Sequence, residues 1–551
     1  MPVAQLRRTL ASTAAEVALE LRAAVRLGRA GVLPGPGELI GVARAARTGG
    51  GAAITEVLAA RFGDDIALID DSTPLTYAQL AEQNRRWVNA LGELGAHAAP
   101  RRLTIGVMCR NSAPVVIALL GALSSDVRLV FLNTDMGLRQ LETVCRREQI
   151  DVILHDAEFS ERIDGAAGDC RRILMKTGDG DPDRETFAGL LAASSSAVPP
   201  TATGTPEMVI LTSGSSGVPR GAARRDSQRT LMSTLAGLLE KIPLRRSDVI
   251  YLAPPAFHGW GLIATLVGLL SGATLVFDGR FDARRAVDSM LEHRCTVFIA
   301  VPTMLKRVMD LPSPVLEPLA GRLRIVGSGG ARLEPTLVRE LTGIFGHVLH
   351  NLYGATELSY ITIATPDDLA LDPTCAGSPP LGVTVAILVD GRPAAPGASG
   401  EIYVRTRAQM SSYTDGTAKE SIGGLTRTGD TGYLDRDGRL YVQGRADGMI
   451  VSGGENVYPE EVELALQRHP QIADATVFTV ADEDFGQRLS AVVAPAPGAA
   501  VTAETVREFV GRELSRSRVP REVFVVDEVV RTSTGKVTRA WIEAVAGGTA
   551  G

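Results

Sequence analysis

The stretch LTSGSSGVPRG at positions 211–221 is the most informative part of this chain. From Thr212 to Arg220 it carries four hydroxyl groups and one guanidinium, and two internal glycines leave its backbone N–H groups accessible. Glycine lets a backbone approach a ligand closely, and successive N–H groups form a concave nest for anions. The apolar run MVIL at 208–211 predicts a strand that leads into this loop. The stretch is therefore predicted to cradle phosphate groups.

This loop matches neither of the two common phosphate-binding patterns. The Walker A pattern cannot be aligned with residues 211–221. The dinucleotide pattern G-x-G-x-x-G comes closest at Gly327, but Arg332 stands where its last glycine should be. A plain flexible loop is the alternative, since Ser- and Gly-rich stretches often serve as linkers. Pro219 stiffens the loop, and other motifs of the chain agree with a phosphate-binding role. Phosphate binding is therefore the preferred interpretation.

Four further motifs follow the glycine loop in a fixed order. They are NLYGATE at 351–357, RTGD at 427–430, GRADGMIVSGGENVYPEEVE at 444–463 and RTSTGKVTR at 531–539. Together with TSGSSGVPRG, their order and separation resemble the adenylate-forming superfamily of acyl-CoA synthetases, luciferases and peptide-synthetase adenylation domains. The resemblance covers roughly residues 52 to 545, and the sequence around SGGENVYPEEVE is most similar to that of fatty-acyl-CoA ligases.

Size and composition limit the class of protein. A chain of 551 residues is too long to fold around one compact core, so at least two domains are expected. A composition of 45% hydrophobic and 22% charged residues is ordinary for a globular protein. The net charge of −6 argues against nucleic acid as the main partner. Five scattered cysteines without a C-x-x-C motif fit a reducing cytoplasm and offer no zinc site.

Neither a secretory signal nor a transmembrane segment is expected. Residues 1–30 interleave Arg and Glu with alanine, and the uncharged run 259–277 is broken at Ser271 and Gly272, which predicts a buried helix followed by a strand. Residues 6–27 carry an apolar stripe beside arginines, a pattern that can lie peripherally on an anionic membrane surface. Packing of this segment on its own protein, or on a second subunit of a homodimer, is the preferred interpretation.

The fold class predicted is α/β. Short apolar strands alternate with helical segments, for example at 66–69, 127–131 and 249–252, which indicates layered sheets that are parallel or mixed. Short strands separated by Gly and Pro at 375–443 indicate a small β-rich subdomain. With the resemblance, this gives a helical extension at 1–51, a large adenylating N-terminal domain at 52–445 and a small mobile α+β C-terminal domain at 446–551.

The resemblance implies which residues contact the phosphates of ATP and Mg²⁺. The glycine loop and Arg220 would cradle the β- and γ-phosphates, although the family usually has lysine at this position, and a planar guanidinium makes different contacts. Thr356 would reach the α-phosphate. Glu357 would hold Mg²⁺, a hard cation suited to carboxylate and phosphate oxygens. The loop residues concerned are Thr212, Ser213, Gly214, Ser215, Ser216 and Gly217.

The resemblance also implies which residues contact the ribose and the adenine of ATP. Asp430 would accept the ribose hydroxyls, with a turn-forming aspartate as the alternative, and Arg445 would add a ribose or phosphate contact. Tyr353 would stack on the adenine. The adenine pocket would be formed by Gly329, Gly330, Ala331, Asn351, Tyr353 and Gly354. Without the resemblance, Tyr353 would be interpreted as a core aromatic residue.

The C-terminal motifs imply a moving lysine and a hinge. Lys536 would bridge the acyl carboxylate and the α-phosphate and lower their repulsion; a lone lysine near a C-terminus is otherwise a solvated charge. Asp447 aligns with the hinge residue about which the C-terminal domain turns between adenylation and thioester formation, although the adjacent Gly448 departs from the family pattern. After that turn, Gly453 and Gly454 would line the tunnel for the pantetheine arm of coenzyme A.

The segment PPAFHGW at 254–260 resembles the part of these enzymes that lines the acyl pocket. Phe257 and Trp260 would line the pocket and His258 would orient the carboxylate, with a core histidine as the alternative. Amino-acid-activating relatives place an aspartate shortly after this segment. This chain has no acidic residue between His258 and Asp278, so an α-amino acid is not the expected substrate.

The sequence therefore predicts an ATP-dependent ligase that joins a medium- or long-chain fatty acid to CoA through acyl-AMP, releasing AMP and pyrophosphate. Transfer of the acyl group to a carrier protein, or an aryl acid as substrate, are alternatives within the class. An inactive homologue that senses nucleotide or lipid is the alternative outside it, and the joint presence of Glu357, Asp430 and Lys536 argues against it. The absence of a G-x-S-x-G elbow disfavours a hydrolase.

Overall fold

Four β-sheets with helices packed on their faces make up the described part of the chain. The structure is a computed structural model. It describes residues 20, 22–28, 31–35, 38–48, 50–71, 74–98, 100–176, 184–201, 204–212, 220–224, 228–410, 412–445, 449–453, 455–482, 484–530, 537 and 539–547.

Two sheets are mainly parallel. The eight-stranded sheet has the spatial order Ser359–Ala364, Leu349–Ala355, Ile325–Gly329, Val297–Ala300, Val249–Leu252, Thr274–Val276, Ile66–Ile69 and Leu75–Thr76. The six-stranded sheet has the order Arg171–Leu174, Val152–His155, Leu103–Met108, Val127–Phe131, Glu207–Thr212 and Arg220–Arg224. Every residue of Leu103–Met108 is buried, as expected for a parallel strand with both faces covered.

The other two sheets are mainly antiparallel. The β-rich one consists of Val383–Val389, Arg392–Pro393, Gly400–Thr406, Ser421–Ile422, Leu425–Leu434 and Leu440–Arg445. The C-terminal one consists of Ile450–Ser452, Glu455–Val457, Ile472–Asp482, Gly486–Pro495 and Glu522–Val525. This division into layered α/β sheets, a β-rich sheet and a smaller α+β unit confirms the predicted fold class.

Helices cover the sheets, and several begin at recognisable caps. Thr365 and Thr502 each form a capping box, and Asp282 caps its helix by accepting from the N–H of Arg285. Residues 22–28 are helical, and the helices with both ends described are Leu39–Thr48, Ala53–Phe62, Tyr77–Ala98, Ala113–Leu123, Leu138–Glu148, Ser160–Ala166, Phe187–Ala193, Gln228–Lys241, Gly259–Leu270, Ala283–Glu292, Pro302–Met309, Ser313–Leu316, Pro335–Phe345, Pro366–Leu371, Pro459–Leu466, Ala503–Glu513 and Arg539–Ala546.

The N-terminal segment packs on the body of the protein. Ala23, Leu27 and Val32 are buried in the same hydrophobic core as the 103–108 strand and the Gly259–Leu270 helix. The described residues thus fit the preferred interpretation that the segment packs on its own protein. Among the described helices, none combines the length and apolar character needed to cross a bilayer.

Near the site, one hairpin was not predicted, and the strand that the run 323–326 predicts has different bounds. Residues 349–364 form a hairpin whose turn carries Thr356 and Glu357, and the strand expected at 323–326 instead runs from Ile325 to Gly329. Gly327 lies close to its neighbours in this strand, since a Cβ there would lie 2.6 Å from Cδ1 of Ile299 and 3.2 Å from the ring of Trp260. The domain boundary near residue 446 stays a prediction, because 446–448 lies outside the described residues.

Candidate active site

Side chains from three parts of the chain meet around Glu357. Its carboxylate is 12% exposed in the turn of the 349–364 hairpin, and the phenol of Tyr413 donates a 2.6 Å hydrogen bond to its Oε1. Lys419 Nζ lies 3.8 Å from the same oxygen. The guanidinium carbon of Arg220 lies 5.8 Å from the centroid of the Tyr413 ring. Two predicted phosphate and metal contacts, Arg220 and Glu357, are thus brought together by a tyrosine that the sequence analysis missed.

Tyr413 is held in place by its neighbour Thr414. The N–H of Thr414 donates to the carbonyl of Gly221 at 2.8 Å, and its hydroxyl donates to the buried Glu148 at 2.9 Å. Glu148 is in turn paired with Arg128 at 2.6 Å. Burial raises the pKa of Tyr413 well above its usual value, and the negative charge of Glu357 adds to this, so the phenol remains a donor.

A second cluster forms at the predicted ribose site. Tyr353 donates to Oδ2 of Asp430, and Arg445 donates to Oδ1 of Asp430 at 3.0 Å. Asp430 and Arg445 face each other on adjacent strands, so Asp430 lies within a strand, and the turn-forming alternative is wrong. Burial, together with the charge of Asp430, raises the pKa of Tyr353 well above its usual value. Two residues predicted to contact the nucleoside, Tyr353 and Arg445, therefore both bind a third, Asp430.

The predicted adenine pocket contains an unpaired acceptor. Asn351 Oδ1 is buried without a hydrogen-bond partner among the described residues, and Asn351 is paired in register with Ser328 of the neighbouring strand. A buried acceptor of this kind needs a donor, and the exocyclic amine of adenine is one. Gly330 leaves its strand at φ +84°, a conformation that suits glycine, and Ala331 follows it. Gly354 is exposed in the hairpin, with the carbonyl of Ser359 2.4 Å from where its Cβ would be. These residues fit an adenine nucleotide.

Magnesium would depend on the nucleotide as well as on the protein. Among the residues that the structure describes, no group of three or more Asp, Glu, His or Cys side chains could hold a metal ion. Proteins usually bind Mg²⁺ through one or two carboxylates, together with substrate phosphates and water. Glu357 fits that pattern, and it would supply one hard oxygen ligand.

The predicted acyl residues line the start of an apolar helix. His258 precedes Gly259–Leu270, and Phe257 is buried beside it. The indole N–H of Trp260 donates to the carbonyl of Ala300 at 3.0 Å, and the ring lies 3.4 Å from where a Cβ of Gly329 would be. The indole therefore separates the helix from the end of the 325–329 strand.

His258 is paired with a residue from the C-terminal sheet. Its Nε2 lies 3.1 Å from Oε1 of Glu455, and the amide of Asn133 donates to the same oxygen at 3.1 Å. Desolvation opposes the charge of His258, but the Glu455 carboxylate outweighs it and raises the pKa of His258. Desolvation likewise opposes the charge of Glu455, and His258 outweighs it and lowers the pKa of Glu455. We call this orientation of the C-terminal part, with Glu455 on His258, the docked arrangement.

The loop that carries His258 is clamped by Asn111. Asn111 is 5% exposed and its Nδ2 lies 2.9 Å from the carbonyl of Pro254 and 3.4 Å from that of Leu252. Its Oδ1 accepts from the N–H of Ala256 at 2.7 Å. Asn111 follows a parallel strand of the six-stranded sheet, whereas the clamped loop follows a strand of the eight-stranded sheet. It therefore joins the two sheets at the acyl segment.

Several predicted residues lie outside the described part of the chain. They are Ser213, Gly214, Ser215, Ser216, Gly217, Asp447, Gly454 and Lys536, and only the backbone of Thr212 is described, at the end of a strand. Gly453 is described with φ +60°, and a Cβ there would lie 2.6 Å from the ring of Phe485. A side chain at Gly453 would therefore collide within the C-terminal unit itself.

Three residues of this site were missed for different reasons. Glu455 lies inside the quoted motif 444–463, but roles were given there only to Arg445, Asp447, Gly453 and Gly454. Asn111 carried a usable signal, since polar residues after the carboxyl ends of parallel strands often reach a site. Tyr413 carried none, because nothing in its polar surroundings shows that the 413 region returns to Glu357.

A family model described as AMP-binding enzyme matches residues 55–414, more than half of the chain. The chain belongs to the AMP-binding enzyme family. A second family model, AMP-binding enzyme C-terminal domain, matches residues 461–536 of this AMP-binding enzyme. The predicted membership of the adenylate-forming superfamily is confirmed.

Curated relatives extend over most of the chain. The enzyme is 32% identical over 479 residues to indoleacetate–CoA ligase of Aromatoleum aromaticum, covering 84% of this chain and 92% of that protein. It is 27% identical over 486 residues to the fatty acid–acyl-carrier-protein ligase ScoC of Streptomyces coeruleorubidus, covering 86% and 92%. Such relatives support ATP-dependent ligation of an acid as the reaction, and they do not single out fatty acids.

One solved relative appears in two states. A double mutant of o-succinylbenzoate CoA synthetase from Bacillus subtilis, bound to the product analogue OSB-NCoA, superimposes with a TM-score of 0.75 at 25% identity, covering 89% of this chain and 98% of that one. The same synthetase bound to the acyl-adenylate OSB-AMP gives 0.62 at 25% identity, covering 89% and 97%. The present structure is thus more similar to the state with the CoA analogue.

Proposed function

We propose that this AMP-binding enzyme activates a carboxylic acid with an uncharged, apolar acyl group and ligates it to CoA, with a medium- or long-chain fatty acid as the preferred substrate. The surroundings of His258 carry the proposal. The helix that follows it, Gly259–Leu270, has twelve residues and no charged side chain. An acid with a second carboxylate or a sulfonate would find no counter-charge on this helix, and burying an unpaired charge is costly.

The proposed reaction has two steps, formation of acyl-AMP and transfer of the acyl group to CoA. A carboxylate oxygen of the acid attacks the α-phosphorus of ATP, and the bond to pyrophosphate breaks. The sulfur of CoA then attacks the acyl carbon, the bond to AMP breaks, and the thiol proton is released. Mg²⁺ bound at Glu357 would neutralise phosphate charge in the first step. Arg220 would add a positive charge on the same side, and Asp430 would hold the ribose.

The docked arrangement supports CoA as the acceptor. It brings Glu455 onto His258 at 3.1 Å, next to the segment assigned to the acyl group. A protonated His258 that is held by Glu455 would stay beside the acyl carbonyl and stabilise charge on its oxygen as the thiolate attacks. The similarity to a relative that binds a CoA analogue supports the same assignment.

An aryl acid is the second candidate, and Trp260 favours it. The indole occupies the space beside Gly329, so a long chain must either displace it or pass it, whereas a flat ring can stack on it. The indoleacetate ligase is a relative with this kind of substrate. Transfer of a fatty acyl group to a carrier protein, as the name of ScoC states for that enzyme, is the alternative for the acceptor.

A pyrophosphate-release screen tests the proposal. Fatty acids of increasing length, arylacetic acids and dicarboxylic acids are offered with ATP, and thioesters of CoA and of a carrier protein are then measured by mass. The expected result is turnover of an apolar monocarboxylic acid with CoA. Preference for a dicarboxylic acid would overturn the proposed acid, and exclusive loading of the carrier protein would overturn the proposed acceptor. No pyrophosphate with any acid would support the inactive homologue.

A further inference from the structure

Gly137 lies where the N-terminal domain meets the C-terminal part of the chain. It is buried immediately before the Leu138–Glu148 helix, and its N–H donates to the carbonyl of Leu514 at 2.8 Å. Met136 and Ser515 form an antiparallel bridge next to it, and the N–H of Arg516 lies 3.4 Å from the carbonyl of Asp135. A short strand-like contact therefore joins the two parts.

This contact leaves no room for a side chain. The three atoms nearest to a Cβ at Gly137 are the carbonyl oxygens of Arg512 at 2.6 Å, Leu514 at 2.7 Å and Gly511 at 3.0 Å. All three belong to the C-terminal part and are backbone atoms, so they cannot move aside as the end of a flexible side chain can.

The backbone of Gly137 does not itself require glycine. Its φ of −69° and ψ of 161° are open to any residue, and this is the ordinary conformation of a residue that caps a helix. A substitution at 137 should therefore be tolerated by the N-terminal domain, and its cost arises only when the C-terminal part docks.

We propose that Gly137 is a positioning residue for thioester formation, because its lack of a side chain permits the docked arrangement that brings Glu455 to His258. The inference rests on the proposed two-step ligation to CoA. The adenylating orientation, in which Lys536 is expected to reach the site, is expected to separate the end of the Ala503–Glu513 helix and residues 514–516 from Gly137, and to be insensitive to a side chain there.

The test uses Gly137→Ser, since serine is a favourable helix cap and adds the Cβ without harming the helix. Pyrophosphate release with acid and ATP should stay within about twofold of the parent enzyme. Thioester formation from preformed acyl-AMP and CoA should fall by about ten- to a hundredfold, as for an overpacked contact. Gly343→Ala is the matched control, because nothing lies within 4 Å of its Cβ position. An equal loss in both half-reactions, or no loss in either, would overturn the inference.

A second measurement does not depend on the acceptor. Arg139 and Glu513 form an ion pair of 3.0 Å across the same contact. With Arg139→Cys and Glu513→Cys, a short bis-maleimide should cross-link the docked arrangement, and adding Gly137→Ser should lower the yield at least fivefold by peptide mass analysis. If the parent enzyme makes no CoA thioester but Gly137→Ser still lowers the yield, the proposed acceptor fails and the role of Gly137 stands. An unchanged yield would overturn that role.

Discussion

The phenol oxygen of Tyr413 lies 2.6 Å from Oε1 of Glu357, so a residue of the β-rich region orients the carboxylate that is proposed to bind Mg²⁺. Through Thr414, the same region is bonded to Gly221 at the end of the glycine loop. The phosphate loop and the metal ligand are therefore connected by two consecutive residues, and the distance between them is set by the backbone of one short segment.

Tyr413→Phe should weaken adenylation because it removes one donor and leaves the ring in place. A hydrogen bond to a charged group contributes about 1.5–3 kcal/mol, so pyrophosphate release should fall by about tenfold or more. The Mg²⁺ concentration for half-maximal rate should change with it, since Glu357 loses its orientation. Thioester formation from acyl-AMP should be nearly unaffected.

Tyr433→Phe is the control for this change, because the ring of Tyr433 stacks on the ring of Tyr441, with 4.9 Å between the two centroids. A Tyr413→Phe enzyme with the parental Mg²⁺ dependence would show that Tyr413 serves only to pack the loop.

Asn111→Ala should disturb the loop that carries His258. It leaves the carbonyl of Pro254 and the N–H of Ala256 without their partner, and each buried unpaired group costs about 1–3 kcal/mol. We expect the KM for the acid to rise and kcat to fall, while the KM for ATP stays within about threefold. Steady-state kinetics with each substrate varied in turn measures this.

Asn89→Ala provides the comparison, since Asn89 also donates to two carbonyls, those of Ser195 and Ala197 at 2.8 and 2.9 Å, away from the site. Comparable thermal unfolding of the two variants with a kinetic defect only in Asn111→Ala would support positioning. Equal kinetic defects would mean that Asn111 acts through stability alone.

Strands made of uninterrupted apolar runs could be predicted from the sequence, and the hairpin that carries Thr356 and Glu357 could not. Apolar runs gave 66–69, 127–131 and 249–252 with the bounds that the structure has. The hairpin at 349–364 was missed because glycine and polar residues interrupt its pattern, and its pairing depends on the neighbouring 325–329 strand. Local periodicity reports burial and does not report such tertiary support.

The site shows the same division. Resemblance named Tyr353, Asp430 and Arg445, which lie in contact, but it could not show that Tyr353 and Arg445 both donate to Asp430. Glu455 reaches His258 only through the arrangement of two domains, which no local pattern in the sequence encodes. Pairwise geometry of this kind arises from the fold.

The His258–Glu455 pair should make the docked arrangement depend on pH. Because docking raises the pKa of His258, the pair stabilises the docked arrangement fully below the ordinary histidine pKa, about 6.5. This stabilisation is lost as the pH rises through the raised pKa. Because docking lowers the pKa of Glu455, its carboxylate stabilises the docked arrangement above the ordinary glutamate pKa, about 4.3. This stabilisation is lost as the pH falls through the lowered pKa.

Glu455→Gln tests this dependence. The ratio of parental to variant kcat/KM for CoA cancels the ionisation of the thiol, which is common to both enzymes. Because the pair is partly exposed, we expect a ratio of about two- to fivefold near pH 6 that declines towards one at alkaline pH. A ratio that is constant over pH would show that the charge of His258 plays no part in docking.

Trp260→Phe and Trp260→Ala should change the choice of acid. Shortening the side chain opens space between the Gly259–Leu270 helix and Gly329, so longer or bulkier acids should gain in kcat/KM relative to the parental optimum by about tenfold. Trp260→Ala also costs about 3–5 kcal/mol of folding stability, so Trp260→Phe is the variant to compare if the alanine enzyme unfolds. A uniform loss for all acids with weaker ATP binding would place Trp260 outside the acyl pocket.

Lys536→Ala and Glu455→Gln should produce opposite defects in the two half-reactions. Lys536 is predicted to offset the repulsion between carboxylate and α-phosphate, so its loss should lower pyrophosphate release by about two to three decades and spare thioester formation from acyl-AMP. Glu455 contacts His258 in the docked arrangement, so its loss should slow the second step and spare the first. If the two residues act in different orientations of the C-terminal part, the double variant should show each single defect unchanged in its own half-reaction. A Lys536→Ala enzyme that is equally slow in both steps would contradict the separation of the two orientations.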